Sequence, residues 1–361
     1  MSRSAPGARA DIRMLTRGYF NAVRSEGNAL RIEGWMLRVD RPFSDVELLL
    51  NGRAVARQAV RKLEDVAKAF PWIPHAAESG FLFILEAPSA SGAVEVVGFF
   101  NKRVAGRMRT LFSSDPEALG PLPPPALMLR VAGSGNPDFF RADGQRTYAD
   151  FAAAVDRHGG FGGMRRMLDW GCGCARVTAH FLADGRIPEV HGVDIDGEAI
   201  SWCRGSLPRG NFQQTGPYPP LPFADGCFDL VVAYSVFTHL PAEVQSAWLA
   251  EMRRVLAPGG LLLATVHGEF AALFSLPAGE PQNLRERLKR RFGGGPIKGG
   301  IMDSVQDRAL DGIAPDGYYR SVLQTKRYTV REWSRFLDVI EFQEAGVGNF
   351  QDLVVLRRPL G

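Results

Sequence analysis

The hydrophobic pattern changes period part-way along the chain. Between residues 19 and 112 the apolar positions fall in short, partly alternating runs at 29–37, 46–50, 53–60, 80–85, 94–97 and 107–112. Runs of this length, bounded by turn residues, read as strands. The pair Asn51-Gly52 lies between two of them, and both central residues of a two-residue hairpin need positive φ, so a hairpin is expected there. One short helix is expected at 65–70, stopped by Pro71. The pattern as a whole predicts a small all-β sandwich over residues 19–118, preceded by a loose arm at 1–18. Asp115-Pro116 and the prolines at 121 and 123–125 then form a stiff linker.

Beyond the linker, strand-like and helix-like segments alternate. Helical stretches are expected at 127–131 and 148–155, with Phe139-Phe140-Arg141 and Gly144 between them. Strands follow at 167–170, 189–194, 211–214, 228–234 and 261–266, separated by helices at 176–183, 197–207 and 242–256. Two strand-like runs, 336–342 and 351–356, close the chain. Alternation of this kind marks an α/β fold with a mostly parallel sheet. The expected architecture is a Rossmann-like α/β domain over residues 119–361, behind the smaller sandwich.

The most informative chemistry lies at the end of the first of these α/β strands. Met167-Leu168-Asp169-Trp170-Gly171-Cys172-Gly173-Cys174-Ala175-Arg176 reads as a buried strand entering a glycine-rich turn ahead of a helix. Glycines at 171 and 173 let the backbone turn sharply and approach a ligand with no Cβ in the way. The helix N-terminus beyond offers free N–H groups. The next strand ends on Asp194, about 20 residues on, the spacing at which an acid accepts hydrogen bonds from ribose hydroxyls. A nucleoside cofactor is therefore expected. A dinucleotide fingerprint needs a third glycine where this chain has Arg176, whereas the D-x-G-x-G pattern of Asp169, Gly171 and Gly173 is met.

That turn, together with Leu221-Pro222-Phe223-Ala224-Asp225-Gly226-Cys227-Phe228-Asp229 and Arg253-Arg254-Val255-Leu256-Ala257-Pro258-Gly259-Gly260, resembles the class I SAM-dependent methyltransferases over about residues 126–361. The resemblance implies a seven-stranded sheet whose last strand is antiparallel, with S-adenosyl-L-methionine (SAM) as cofactor. It also implies that Gly171, Cys172 and Gly173 form the turn under the methionine end, that Asp169 orders that turn, and that Asp194 holds the ribose. Ile195 packs on the adenine or in the core. Two departures are visible. Ala175 stands where the family has a third glycine, and no acid lies in 213–222 to meet the adenine, which leaves backbone groups or Tyr218 for that contact. The segment ahead of the first strand often folds over the cofactor in this family, so Phe139, Phe140 or Arg141 is read as either a cofactor contact or packing.

Methyl transfer from a sulfonium mainly needs alignment and exclusion of water, but a protonated acceptor also calls for a base. His239 and His267 both follow strand ends, and Tyr234 ends the fourth strand, so these three are the catalytic candidates, with structural capping the alternative for the histidines. Tyr318, Tyr319 and Gln351 are read as polar groups facing the acceptor. The sandwich resembles modules attached to bacterial glycan-processing enzymes through Gly34-Trp35, Asn51-Gly52 and Ser79-Gly80-Phe81. That resemblance implies a glycan acceptor; a small molecule is the other expectation, with O-methylation the expected reaction. Trp35, Phe70, Trp72, Phe81 and Phe83 are then either a sugar platform or core. The alternatives are a degenerate methyltransferase serving as a scaffold and an enzyme acting on protein or nucleic acid. The second is disfavoured because strand four ends Ala233-Tyr234-Ser235-Val236, without the D/N-P-P-Y element.

Composition narrows the partners. The chain has 361 residues, 45% of them hydrophobic and 23% charged, and a net charge of +4, which does not indicate a nucleic-acid protein. The four cysteines, at 172, 174, 203 and 227, do not form a disulfide framework, and C-x-C without a histidine pair is a poor metal signal, so no metal is expected. There is no signal-like segment in residues 1–10 and no transmembrane run, and a cytoplasmic location is expected. The segment 284–292 is an amphipathic helix pattern with a basic face: a lid for an anionic acceptor, a peripheral membrane contact, or a solvated surface. The sequence leaves the oligomeric state open.

Overall fold

The period-two stretches fold as strands, and the Asn-Gly pair makes its hairpin with φ of +49° at Asn51 and +79° at Gly52. The computed structural model describes residues 15–86, 88, 90–113, 115–274 and 298–360; most of the expected N-terminal arm and all of the basic segment 284–292 lie outside the described residues. The sandwich contains β1 (Thr16–Glu26), β2 (Ala29–Arg38), β3 (Asp45–Leu50), β4 (Arg53–Ala59), β5 (Arg61–Lys62), helix α1 (Glu64–Ala69), β6 (Glu78–Glu86), β7 (Gly92–Phe100) and β8 (Arg103–Phe112). β1 thus opens ahead of the boundary placed at residue 19. The strands form two antiparallel four-stranded sheets, β1-β2-β6-β5 and β4-β3-β7-β8. Phe20, Ile32, Val46, Phe81, Phe83 and Val96 fill the space between them.

Asp115 caps a 3₁₀ turn at Pro116–Leu119. α2 (Pro125–Ala132) and α3 (Pro137–Arg157) follow. α3 is a single helix of 21 residues where the sequence pattern indicated only 148–155. Asn136 caps it by accepting the Phe139 N–H at 3.0 Å, and Pro137 occupies its first turn. Gly144 does not break it; a Cβ there would stand 2.2 Å from the Arg176 carbonyl oxygen, so the glycine lets the helix lie against the segment that follows the Gly171–Gly173 turn.

The second domain is built from β9 (Arg166–Trp170), α4 (Thr178–Asp184), β10 (Glu189–Asp194), α5 (Gly197–Ser206), β11 (Asn211–Gln214), β12 (Phe228–Ala233), α6 (Ala242–Val255), β13 (Leu256–Val266), α7 (Glu269–Phe274), β14 (Ile301–Gln306), β15 (Arg320–Gln324), α8 (Lys326–Trp333), β16 (Asp338–Val347) and β17 (Gln351–Arg357). Seven strands lie in the order β11-β10-β9-β12-β13-β17-β16. β9 to β13 pair in parallel, and β17 is antiparallel to both β13 and β16. Apolar residues of α3, α4 and α5 cover one face, and those of α6 cover the other. Strand order reverses beside β9, because the chain first builds outward to β10 and β11 and then returns to β12. Ligands bind at such switch points, beyond the carboxyl ends of the strands.

The two domains share buried contacts. Arg146 of α3 donates to the Gly18 carbonyl and to Asn349 Oδ1, both at 2.8 Å, and Asn349 in turn donates to the Arg107 carbonyl at 3.0 Å. The aromatic residues weighed as a sugar platform are packed: Phe81 and Phe83 in the sandwich core, Trp35, Phe70 and Trp72 against Phe270, Leu273 and Phe274 of α7. Among the described residues no helix is long and apolar enough to cross a membrane, and no cluster of metal-ligating side chains occurs.

Candidate functional site

β9 ends on Asp169, which lies buried beneath the turn and accepts the Thr178 hydroxyl at 2.6 Å. Burial pushes its carboxyl up to about 7. It ties the turn to the start of α4 from below. The turn itself takes φ of +76° at Gly171 and +52° at Gly173, and Ala175 keeps +59° despite its Cβ. The amides of Gly171 and Cys172 donate to the Val193 carbonyl at 2.8 and 3.1 Å, binding the turn to β10. The Cys172 side chain packs towards Gly192, where an added Cβ would meet its Sγ at 2.9 Å, and Cys172, expected at the cofactor, is not among the residues lining the cleft.

Asp194 stands directly across from the turn. Its Oδ2 accepts the Gly173 N–H at 2.7 Å and its Oδ1 accepts the Asp196 N–H at 2.8 Å. Burial raises its pKa, and the backbone donors oppose that shift. A carboxylate has about four acceptor positions, so these donors leave acceptor capacity for a ligand hydroxyl. Asp196 caps α5 through the amides of Glu198 and Ala199 and holds Arg130 of α2 at 2.7 Å. Arg130 and its neighbour Val131 thereby close over the turn, and a Cβ at Gly173 would come within 2.8 Å of Val131 Cγ2.

A cleft runs from this turn along the strand ends. Gly171, Gly173, Asp194, Ile195, Tyr234 and His239 all line it, so six of the sequence candidates converge. Its far end is walled by Thr215, Trp248, Leu310 and Tyr318. Trp248 Nε1 donates to the Tyr318 hydroxyl at 3.2 Å and to the Pro217 carbonyl at 3.3 Å, which fixes a flat aromatic wall where the family acid is missing. Tyr218, the side chain expected near an adenine, is exposed and rests edge-on against Tyr318 with ring centres 5.2 Å apart.

The three catalytic candidates part company. The His239 ring stacks on Tyr319 at 4.0 Å, and its Nδ1 lies 3.0 Å from the Arg320 carbonyl and 3.5 Å from an Asp307 carboxylate oxygen. A carbonyl can only accept, so Nδ1 carries the proton and Nε2 is the basic nitrogen. Burial pushes this histidine down to about 4, against the pull of Asp307, so the ring is neutral at neutral pH. Tyr234 has the Arg176 guanidinium 4.7 Å from its ring centre, and burial raises its pKa, so its hydroxyl stays protonated. His267 packs against Phe350, with ring centres 5.4 Å apart, outside the lining of the cleft; burial pushes it down to about 3.

Other residues enter that the sequence did not single out for the site. Arg176, seen there only as an obstacle to a dinucleotide, forms a buried ion pair with Asp143 at 2.6 Å and lines the cleft. Its signal was an arginine directly after the glycine turn. Arg130 and Val131 had no local signal. Phe140 and Arg141 take the packing alternative: Phe140 is buried beside Leu127 and Met128, and Arg141 donates to the carbonyls of Leu119 and Gly120. A second chamber adjoins the cleft and shares Val131, Arg176, Tyr234 and Ser235 with it; its remaining walls include Tyr19, Phe139, Asp143, Phe350 and Gln351.

Residues 168–264 match a sequence family described as a methyltransferase domain. An uncharacterized methyltransferase of Synechocystis is 31% identical over 115 residues, covering 31% of this chain and 52% of that protein. The phthiotriol/phenolphthiotriol dimycocerosates methyltransferase 1 of Mycobacterium ulcerans is 30% identical over 193 residues, covering 52% of this chain and 66% of that protein. Several curated relatives are matched over about half of their own length or less. A solved structure of the Burkholderia thailandensis 1,6-didemethyltoxoflavin-N1-methyltransferase, with bound 1,6-didemethyltoxoflavin and S-adenosylhomocysteine, is 15% identical with a TM-score of 0.40, covering 61% of this chain and 79% of that one. Residues 168–264 thus carry a methyltransferase domain. The lining could hold SAM, the cofactor expected from the sequence, with the open backbone of Gly171 and Gly173 beside the methionine end, Asp194 for the ribose, and the wall of Ile195 and Tyr318 for a flat base.

Proposed function

We propose that this protein transfers the methyl group of SAM to a hydroxyl of a small-molecule or glycan acceptor, with His239 as the base. Bound in the cleft, SAM supplies an electrophilic methyl carbon. Gly171 and Gly173 give it close backbone approach, Asp194 orients it through the ribose, and α2 with the β14–β15 segment excludes water. The observation that carries the reading is the His239 arrangement in the lined cleft. Nδ1–H is committed to the Arg320 carbonyl, so Nε2 is the nitrogen placed to take the acceptor's O–H proton, while bound SAM would supply the methyl carbon and leave as the neutral thioether. The resulting imidazolium faces Asp307, 3.5 Å away. Tyr234, protonated and held by Arg176, serves as a wall. His267 stands behind Phe350 and supports the acceptor side without meeting the proton.

The test is transfer of label from methyl-labelled SAM into fractionated cell extract, beside calorimetric binding of SAM. His239→Gln is expected to lower kcat by about 10²–10⁴-fold with SAM affinity unchanged. Because the folded-state value of His239 lies near 4, wild-type kcat is expected to show no inflection near pH 6.5 and to fall only as pH drops towards 4. A wild-type protein that does not bind SAM, or a His239→Gln variant with full turnover, would overturn this assignment.

A further inference from the structure

We propose that the second chamber is the acceptor site, that it takes a neutral ring-shaped molecule bearing a hydroxyl group, and that Gln351 together with the sandwich residue Tyr19 recognises it. The inference rests on the methyl-transfer reading above and adds the acceptor class and a task for the N-terminal domain.

Gln351 is nearly fully buried, lines the chamber, and its Oε1 has no hydrogen-bond partner among the described residues. Its amide orientation is fixed by a short relay. Thr238 Oγ1 donates to the Ser235 carbonyl at 2.9 Å, so it can only accept from the Ser235 hydroxyl, 3.0 Å away. The Ser235 oxygen is then left to accept from Gln351 Nε2, at 3.1 Å. That amide group therefore presents its NH₂ to the relay, and the oxygen is the group left over. A buried, unsatisfied acceptor is costly unless a ligand donates to it. A hydroxyl is such a donor. Ser235 holds this geometry at a φ of +59°, with its N–H bonded to Thr265 Oγ1 at 2.8 Å.

The rest of the chamber sets the shape and charge of its occupant. The only charged side chains in its lining, among the described residues, are Asp143 and Arg176, which neutralise each other at 2.6 Å. Aromatic walls come from both domains: Tyr19 of β1 lies 5.6 Å from the Phe139 ring, and Phe350 comes from the β16–β17 turn. Arg17 fixes these walls, its guanidinium lying 4.3 Å from the Tyr19 ring centre and 4.0 Å from that of Phe350. Aromatic walls interleaved with polar groups, among them an unpartnered buried acceptor, suit a small hydroxylated ring, whose faces stack and whose hydroxyl donates. Because the chamber meets the cofactor cleft at Tyr234 and Ser235, a hydroxyl held there lies on the transfer side.

A hydroxylated ring comes from a sugar or a phenol, so the test has two arms. Binding of methyl glucopyranoside and of catechol to the full chain is measured by ligand-observed NMR, with and without S-adenosylhomocysteine. At least one probe is expected to bind, Gln351→Leu to weaken it about tenfold or more, and Tyr19→Leu to weaken it several-fold, with S-adenosylhomocysteine affinity unchanged in both variants. Tyr19→Leu lies in the other domain and keeps the test decisive if Gln351→Leu fails to fold. Binding of neither probe, or binding indifferent to both substitutions, overturns the chamber assignment. Probe binding that depends on Gln351 in a protein with no affinity for S-adenosylhomocysteine supports the chamber and removes the methyl-transfer reading instead.

Discussion

Gly173 carries two constraints at once, a φ of +52° and the close approach of Val131. Gly173→Ala is therefore expected to displace α2 and weaken SAM binding by about tenfold or more, as read by calorimetry, since strain at one left-handed residue is worth about 1–2 kcal/mol before any clash. Asp169 makes a different prediction. Its carboxyl rises from an ordinary 3.8 to about 7 on burial, so the folded chain holds the proton more tightly than the unfolded one. The stabilisation from this group is complete below pH 3.8 and is lost as pH rises through 7. Asp169→Asn removes that dependence. In urea titrations at pH 5, 6.5 and 8, the stability of the wild type relative to this variant should decline as pH rises; a constant difference would contradict a buried, protonatable Asp169.

Among the elements, α3 shows how packing overrides a local signal. Gly144 and the polar run Gln145-Arg146-Thr147 look like an interruption in sequence, but these residues are buried where the helix meets the cofactor turn and β1. Gly144→Leu is expected to drive α3 from Arg176, to destabilise the fold by about 1–3 kcal/mol, and to lower turnover with it; a thermal melt beside the label-transfer assay checks both. The β14–β15 segment belongs to the same scale. Its residues Leu310, Tyr318 and Tyr319 close the cleft and its Arg320 carbonyl fixes the His239 tautomer, so an insertion after the fifth parallel strand becomes part of the site.

For the whole molecule, the sandwich contributes walls to the second chamber. It supplies Arg17 and Tyr19 beside the second chamber, and α1 packs its neighbours onto α7. Arg146 is the buried joint, satisfying the Gly18 carbonyl on one side and Asn349 on the other. Arg146→Ala leaves both groups unsatisfied, and a loss of about 2–4 kcal/mol is expected, allowing about 1–3 for each stranded group with partial relaxation. Chemical denaturation measures it. A variant as stable as the wild type would show that the Arg146 joint adds nothing to the hold between the domains.

The order of strands and helices from β9 to β13, the hairpin at Asn51-Gly52 and the turn from Asp169 to Ala175 could be read from the chain itself, because periodicity, capping and positive-φ positions are properties of near neighbours. The placement of Asp194 opposite that turn was also readable, since parallel pairing of adjacent strands fixes it. Which histidine faces the cleft was not. His239 and His267 both follow strand ends, and only the Arg320 carbonyl, 81 residues from His239, and the Phe350 ring beside His267 tell them apart. The closure by Arg130 and Val131, the orphaned oxygen of Gln351 and the joint from Arg146 to Gly18, 128 residues apart, likewise arise from contacts across the fold. The chain encodes its elements locally, whereas the chemistry of a side chain depends on what burial and distant partners do to it, and those exist only once the two domains have packed.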